Sequence, residues 1–160
     1  MRKARNKLAL ITFTFVLALL LSIIPLPPIA QWFRPEWVAL VLIYWVLTTP
    51  DNVGMGTAFI VGLLLDGLRG SLMGQYALVC VIISYLTLKL HRRLSLFPLW
   101  QQAVCVFLII GCGQLTVVWV RGLTAQSSVG SMFWLAGLTS MLLWPWLYLL
   151  LNDYRRRAFT

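Results

Sequence analysis

The chain has 160 residues, is 61% hydrophobic and carries 13 Lys and Arg against 4 Asp and Glu, for a net charge of +9. Soluble domains run about 45–50% apolar, and no polar stretch here is long enough to fold as a soluble domain, so the composition leaves one compact apolar bundle. The basic residues fall between apolar runs and not on one polar face, which reads as membrane topology and excludes nucleic-acid binding.

Six apolar runs follow in chain order, predicting an all-α membrane bundle over residues 1–160. The first covers 8–24 and is ended by Pro25, Pro27 and Pro28. The second, 36–49, opens at Arg34-Pro35-Glu36-Trp37, where proline suits a first helical turn, and closes at Thr49-Pro50. The others are 53–68, 72–90, 99–120 and 132–151, separated by Gly70-Ser71, Pro98 and a polar link containing Gly130. Runs two and three, at 1.5 Å per residue, span roughly 21–24 Å against a bilayer core of about 30 Å. Their tight Pro50-Asp51-Asn52 link predicts an antiparallel hairpin at the centre of the bundle.

Basic residues set the orientation. Arg2, Lys3, Arg5 and Lys7, then Lys89, Arg92 and Arg93, then Arg155, Arg156 and Arg157 lie at one set of helix ends. Arg34, Arg69 and Arg121 lie at the other set. The imbalance predicts that both termini are cytoplasmic. Trp32, Trp37, Trp100 and Trp119 fall where interfacial tryptophans belong. The first run has no convincing small-x-small cleavage site after it and is expected to stay in place.

Asp66 is the one acidic residue deep in the apolar pattern, and a carboxylate there is a functional-site candidate by default. It ends a run of small residues four apart, Gly54, Ala58, Gly62 and Asp66. Such a stripe lets another backbone approach closely, either inside this chain or from a partner helix. Asp66 would oppose the dipole at the end of its own helix. Arg69, three residues on, is the nearest expected compensation, with Arg34 and Arg121 as alternatives.

Few groups remain for chemistry. Asp66-Gly67-Leu68-Arg69 echoes part of an intramembrane phosphotransferase motif, but Glu36, Asp51 and Asp153 are too scattered to complete a carboxylate metal site. His91 sits among basic residues, and Cys80, Cys105 and Cys112 lie in apolar runs without a histidine in reach. No cofactor, metal or enzymatic activity is expected. Gln114 requires a hydrogen-bond partner across helices, whereas Gln101 and Gln102 fall at the inner surface. Trp144-Pro145-Trp146 predicts a kink near Met141, with Ser140 able to bond the freed carbonyl.

The ordered set Phe33-Arg34-Pro35-Glu36-Trp37, Tyr44-Trp45-Val46-Leu47, Gly62-Leu63-Leu64-Leu65-Asp66, Gly70-Ser71-Leu72-Met73-Gly74, Leu99-Trp100-Gln101-Gln102 and Leu143-Trp144-Pro145-Trp146 resembles the MreD family of rod shape-determining proteins, in its proteobacterial form. The resemblance implies a multi-pass bacterial inner-membrane protein of the elongasome, without enzymatic activity. It also implies a fold similar to the six-helix S-components of energy-coupling-factor transporters. Implied partners are MreC, a bitopic membrane protein, and indirectly MreB, a RodA-type glycosyltransferase and a class-B penicillin-binding protein. The positions it carries over are Asp66, Gly62, Arg34, Pro35 and Trp144-Pro145-Trp146.

Two functional readings follow. One is a scaffold that binds the MreC-like partner through small-residue faces and an outer groove, with the 25–33 loop as a wall, while its basic surface holds anionic lipid. The other is a small carrier or binding subunit for a lipid-like or small-molecule ligand, which would need convergent polar groups at the bundle centre.

Overall fold

The computed structural model describes residues 1–31, 33–70, 73–125 and 130–159. Trp32, Ser71 and Leu72 lie outside these residues. The described residues form seven α-helices: α1 (Arg2–Ile23), α2 (Pro28–Gln31), α3 (Trp37–Thr48), α4 (Met55–Arg69), α5 (Gln75–Leu96), α6 (Leu99–Leu123) and α7 (Leu135–Phe159). A 3-10 turn, Ser131–Trp134, leads into α7. Three helices, Arg2–Ile23, Leu99–Leu123 and Leu135–Ala158, are long and apolar enough to cross a membrane.

Several helices outrun the apolar runs that announce them. α1 begins at Arg2 and α7 continues to Phe159, because backbone hydrogen bonding does not stop where the apolar residues do. α7 also runs through Pro145 as one helix. Ser140 does not serve the expected role at Pro145. Its hydroxyl donates to the Ala136 carbonyl at 2.7 Å and accepts the Glu36 N–H at 3.0 Å, joining α7 to the start of α3.

α3 is the core. Every residue from 38 to 47 is buried, as expected of a helix that is apolar all the way round. It packs on α1, α5, α6 and α7. Trp45 Nε1 donates to Thr14 Oγ1 at 2.8 Å, and Thr14 in turn donates to the Ile11 carbonyl, so both polar tips are satisfied inside the apolar interior. Tyr44 meets Trp45 and Tyr148 edge to face, with ring centroids 5.2 and 5.5 Å apart, and Trp144 lies 5.8 Å from Tyr148. Of the expected central hairpin only α3 is central; its expected partner α4 packs chiefly on α5 and not on α3. α4 also turns Phe59, Ile60, Leu64 and Leu68 outward.

Polar side chains stitch the remaining helices. Gln102, expected at the surface, is buried. Its Nε2 donates to the carbonyls of Leu94 (2.7 Å) and Phe97 (3.3 Å), and its Oε1 accepts from Trp144 Nε1 at 3.4 Å. It thus ties the end of α5 and the start of α6 to α7. Gln114 finds the partner it needs in the Phe133 carbonyl, at 3.0 Å.

α4 and α5 approach most closely at Gly62. A Cβ there would overlap the Ala77 Cα and stand 2.7 Å from the Tyr76 carbonyl oxygen. The obstruction is backbone, which cannot rotate aside. Ala58 is also fully buried. The part of the small-residue stripe formed by Ala58 and Gly62 is thus used inside the chain, with α5 as the facing helix at Gly62, and Gly54 alone has open space around it. Gly62→Leu is expected to separate α4 from α5 and destabilise the protein by more than the roughly 1–3 kcal/mol typical of overpacking. Thermal unfolding in detergent checks this, and a wild-type midpoint would show that the helices tolerate a wider spacing.

Candidate functional site

The charged residues of the expected site converge at one end of the bundle, where α1 and α4 finish and α3 and α5 begin. The turn between α4 and α5 is made by two glycines with positive φ. Gly70 (φ 64°) takes the left-handed conformation that ends α4, and its N–H bonds back to the Asp66 carbonyl. Gly74 (φ 96°) stands immediately before α5 and has no side chain with which to cap it. The first N–H groups of α5 therefore need an acceptor from elsewhere.

Asp66 supplies it. Its Oδ1 accepts the Tyr76 N–H at 2.8 Å, and its Oδ2 accepts those of Gly74 at 2.9 Å and Ala77 at 3.3 Å. The side chain belongs to the last turn of α4 but caps α5. An acid unfavourable to the dipole of its own helix is held by the positive end of the next one. The residue is 1% exposed. Charge-assisted bonds of this kind are about twice as strong as neutral ones.

Arg69 does a different job from the one expected. Its Nη1 donates to the Tyr76 hydroxyl at 3.0 Å, and its guanidinium carbon lies 4.8 Å from the Tyr76 ring centroid. Its ion pair is with Glu36, at 3.8 Å. It thereby links the end of α4 to the start of both α3 and α5. The link preceding α3 is fixed by Arg34, whose Nη2 donates to the Leu21 carbonyl in the last turn of α1 at 2.8 Å. A cation at a helix C-terminus is favourably placed. Burial and then the charge of Arg69 lower the pKa of Arg34, partly offset by Glu36. The Arg34 Nε is buried without a hydrogen-bond partner.

Pro35 accepts the Trp37 N–H on its carbonyl at 3.0 Å, turning the chain into α3. Trp37 is half-buried at the edge of the core. The other expected positions lie elsewhere. Trp144 is buried in the aromatic cluster, whereas Trp146 is 80% exposed on the opposite side of Pro145. Phe33 is exposed, as a loop-wall residue should be. Glu36 was recognised only as a scattered acid, and Tyr76 was not singled out. Nothing in the local pattern marks Tyr76, because its role depends on a turn geometry set by two glycines. Among the described residues no three His, Cys, Asp or Glu side chains gather where they could hold a metal ion.

A family model described as rod shape-determining protein MreD matches residues 2–154. The chain is similar to the rod shape-determining protein MreD of Haemophilus influenzae, with 35% identity over 144 residues, covering 90% of this chain and 89% of the relative. No solved structure matches.

Replacing Asp66 tests the cap. Asp66→Ala leaves α5 N–H groups without their acceptor and is expected to cost about 2–3 kcal/mol. Asp66→Asn keeps one acceptor oxygen but turns an amide donor toward other N–H groups, so it should fall between wild type and alanine. Thermal unfolding in detergent gives the order. Equal midpoints for all three proteins would contradict the cap.

Proposed function

The chain belongs to the MreD family of rod shape-determining proteins, and from that membership we propose that it is a non-enzymatic scaffold of the bacterial elongation machinery. It binds a bitopic MreC-like partner and thereby helps to organise peptidoglycan synthesis. MreB, a RodA-type glycosyltransferase and a class-B penicillin-binding protein are reached indirectly. It lies in the inner membrane, crosses it on α1, α3, α4, α5, α6 and α7, and keeps both termini in the cytoplasm. Its six crossings follow the arrangement of energy-coupling-factor S-components.

The observation that carries the scaffold reading is how five of the buried polar side chains are used. Asp66, Gln102, Gln114, Ser140 and Thr14 each hold one helix to another or to its own backbone. Such groups fix a shape. A carrier or an enzyme needs them turned toward a ligand. The six-crossing layout is supported by the way the helix ends meet. Arg34 reaches the end of α1, Glu36 the early part of α7, and Arg69 the start of α3, as alternating up and down helices require. Twelve residues give α3 only about 18 Å, short of a bilayer core. Its enclosure by four other helices removes the need to match lipid thickness.

The buried faces of α3 and α4 are not available to a partner, so docking falls to the outer face of α4. There Phe59, Ile60, Leu64 and Leu68 are exposed, and Gly56 and Gly67 have no atom of another element within 4 Å of a built Cβ. A second helix can approach closely at both glycines. At the cytoplasmic end, exposed Arg2, Lys3, Arg5, Lys89, Arg92 and Arg93 favour anionic lipid at about 1 kcal/mol each. The double variant Gly56→Leu with Gly67→Leu is expected to keep the wild-type melting midpoint and to lose co-purification of the MreC-like partner from native membranes at least several-fold. Undiminished co-purification would remove α4 as the docking face.

A further inference from the structure

The helices of the bundle differ in how much membrane they can span. α6 and α7 have 25 residues each, about 38 Å of helix. α4 has 15, about 22 Å, against a bilayer core of about 30 Å. α3 is shorter still, but other helices enclose it. α4 is not enclosed, since Met55, Phe59, Ile60, Leu64 and Leu68 are exposed along it. Its neighbour α5 is long, yet its continuous apolar part ends at Leu88, about 21 Å from its start at Gln75. Lys89, His91, Arg92 and Arg93 follow. The Lys89 ammonium stands 6.0 Å from the ring centroid of Tyr85, one turn back along the helix, so it does not reach outward. α4 and α5 pack on one another and make one continuous side of the protein. That side falls about 8 Å short of the lipid around it.

A short span has few remedies. Tilting lowers its height further, so flanking residues must reach outward, the bilayer must thin, or another helix must cover the face. The flanks of α4 cannot reach. At one end Gly70 turns the chain out of the helix, and Arg69 is held by Tyr76 and Glu36. At the other end the exposed polar pair Asp51 and Asn52 stands just before the helix, and drawing it inward would bury a carboxylate in hydrocarbon. Lipid beside an uncovered α4 is therefore thinned, at a cost that grows with the thickness of the bilayer. A helix laid over α4 takes the place of that lipid. We propose that bilayer thickness regulates docking at α4: strained lipid beside α4 and α5 drives the partner helix onto the face, and docking strengthens as the bilayer thickens. The inference rests on the docking face proposed above and adds the force that operates it.

The test uses the full chain carrying a donor dye and the MreC-like partner carrying an acceptor. The two are reconstituted together in vesicles of dimyristoleoyl, dioleoyl or dierucoyl phosphatidylcholine, in order of increasing thickness. Energy transfer, followed as the proteins are diluted with further lipid, gives the affinity within each bilayer. The wild-type chain should bind about fivefold more tightly, or better, in the thickest bilayer than in the thinnest. Asp51→Leu with Asn52→Leu lengthens the apolar surface of α4 and leaves the partner unchanged, so it should reduce the rise to less than about twofold. Asp51→Leu alone should give an intermediate rise, and it stands as the test if the double variant unfolds; a melting curve in detergent accompanies each. Equal wild-type affinity in all three bilayers would overturn the proposal and leave the docking face standing. So would an undiminished rise in the folded variants, because the dependence on thickness would then belong to the partner. Energy transfer in none of the bilayers would defeat the docking face itself, and this inference with it.

Discussion

The α4–α5 unit depends on one carboxylate meeting the wrong helix. Within α4, Asp66 is unfavourable twice over, as a buried charge and as an anion at the negative end of a dipole. α5 presents the opposite problem, since its first N–H groups have no side-chain cap of their own at Gly74. Bringing the two together resolves both, and does so where water is scarce and an unsatisfied N–H costs several kcal/mol. The geometry exists only because Gly70 and Gly74 adopt left-handed conformations in the link and Gly62 lets the helices come together one turn below. Cap, turn and close approach form one device.

The rest of the end surface is assembled around that device. Once α5 is fixed, Tyr76 offers its ring and hydroxyl to Arg69, and Arg69 is directed toward Glu36 at the start of α3. Glu36 in turn is held through its backbone N–H by Ser140 of α7. Arg34 extends the set to α1. α1, α4, α5 and α7 are thereby tied, directly or through one intermediary, to a helix that is itself almost wholly buried.

Much of this was legible in the sequence, in particular places. Asp66 stood out because carboxylates are rare in apolar runs, and Gly62 because small residues recur at steps of four. The burial of α3 could be read from its lack of any polar face, and the need of Gln114 for a partner from its position within a span. The partner of Asp66 could not. Sequence spacing favours Arg69, three residues away on the same face, but the donors to a carboxylate need not be charged side chains. Backbone N–H groups carry no mark in the sequence, and their position followed from two dihedral angles. Gln102 was misjudged for a related reason. Its neighbours Trp100 and Gln101 suggest a surface, yet the end of α5 folds back over it and presents the Leu94 carbonyl. Ser140 was matched to Pro145 on the same helix, when its hydroxyl faces the start of α3. Local patterns reveal which groups need partners, and tertiary contacts decide which partners they receive.

The most direct measurement is amide hydrogen exchange at Gly74, Tyr76 and Ala77 in the detergent-solubilised wild-type chain. First-turn amides of an uncapped helix exchange nearly as fast as open chain, because nothing in the helix accepts their hydrogens. If the Asp66 carboxylate holds α5, these amides will exchange slowly, on the scale of the helix interior. Fast exchange at all three, beside a protected interior of α5, would contradict the cap and the frame built on it.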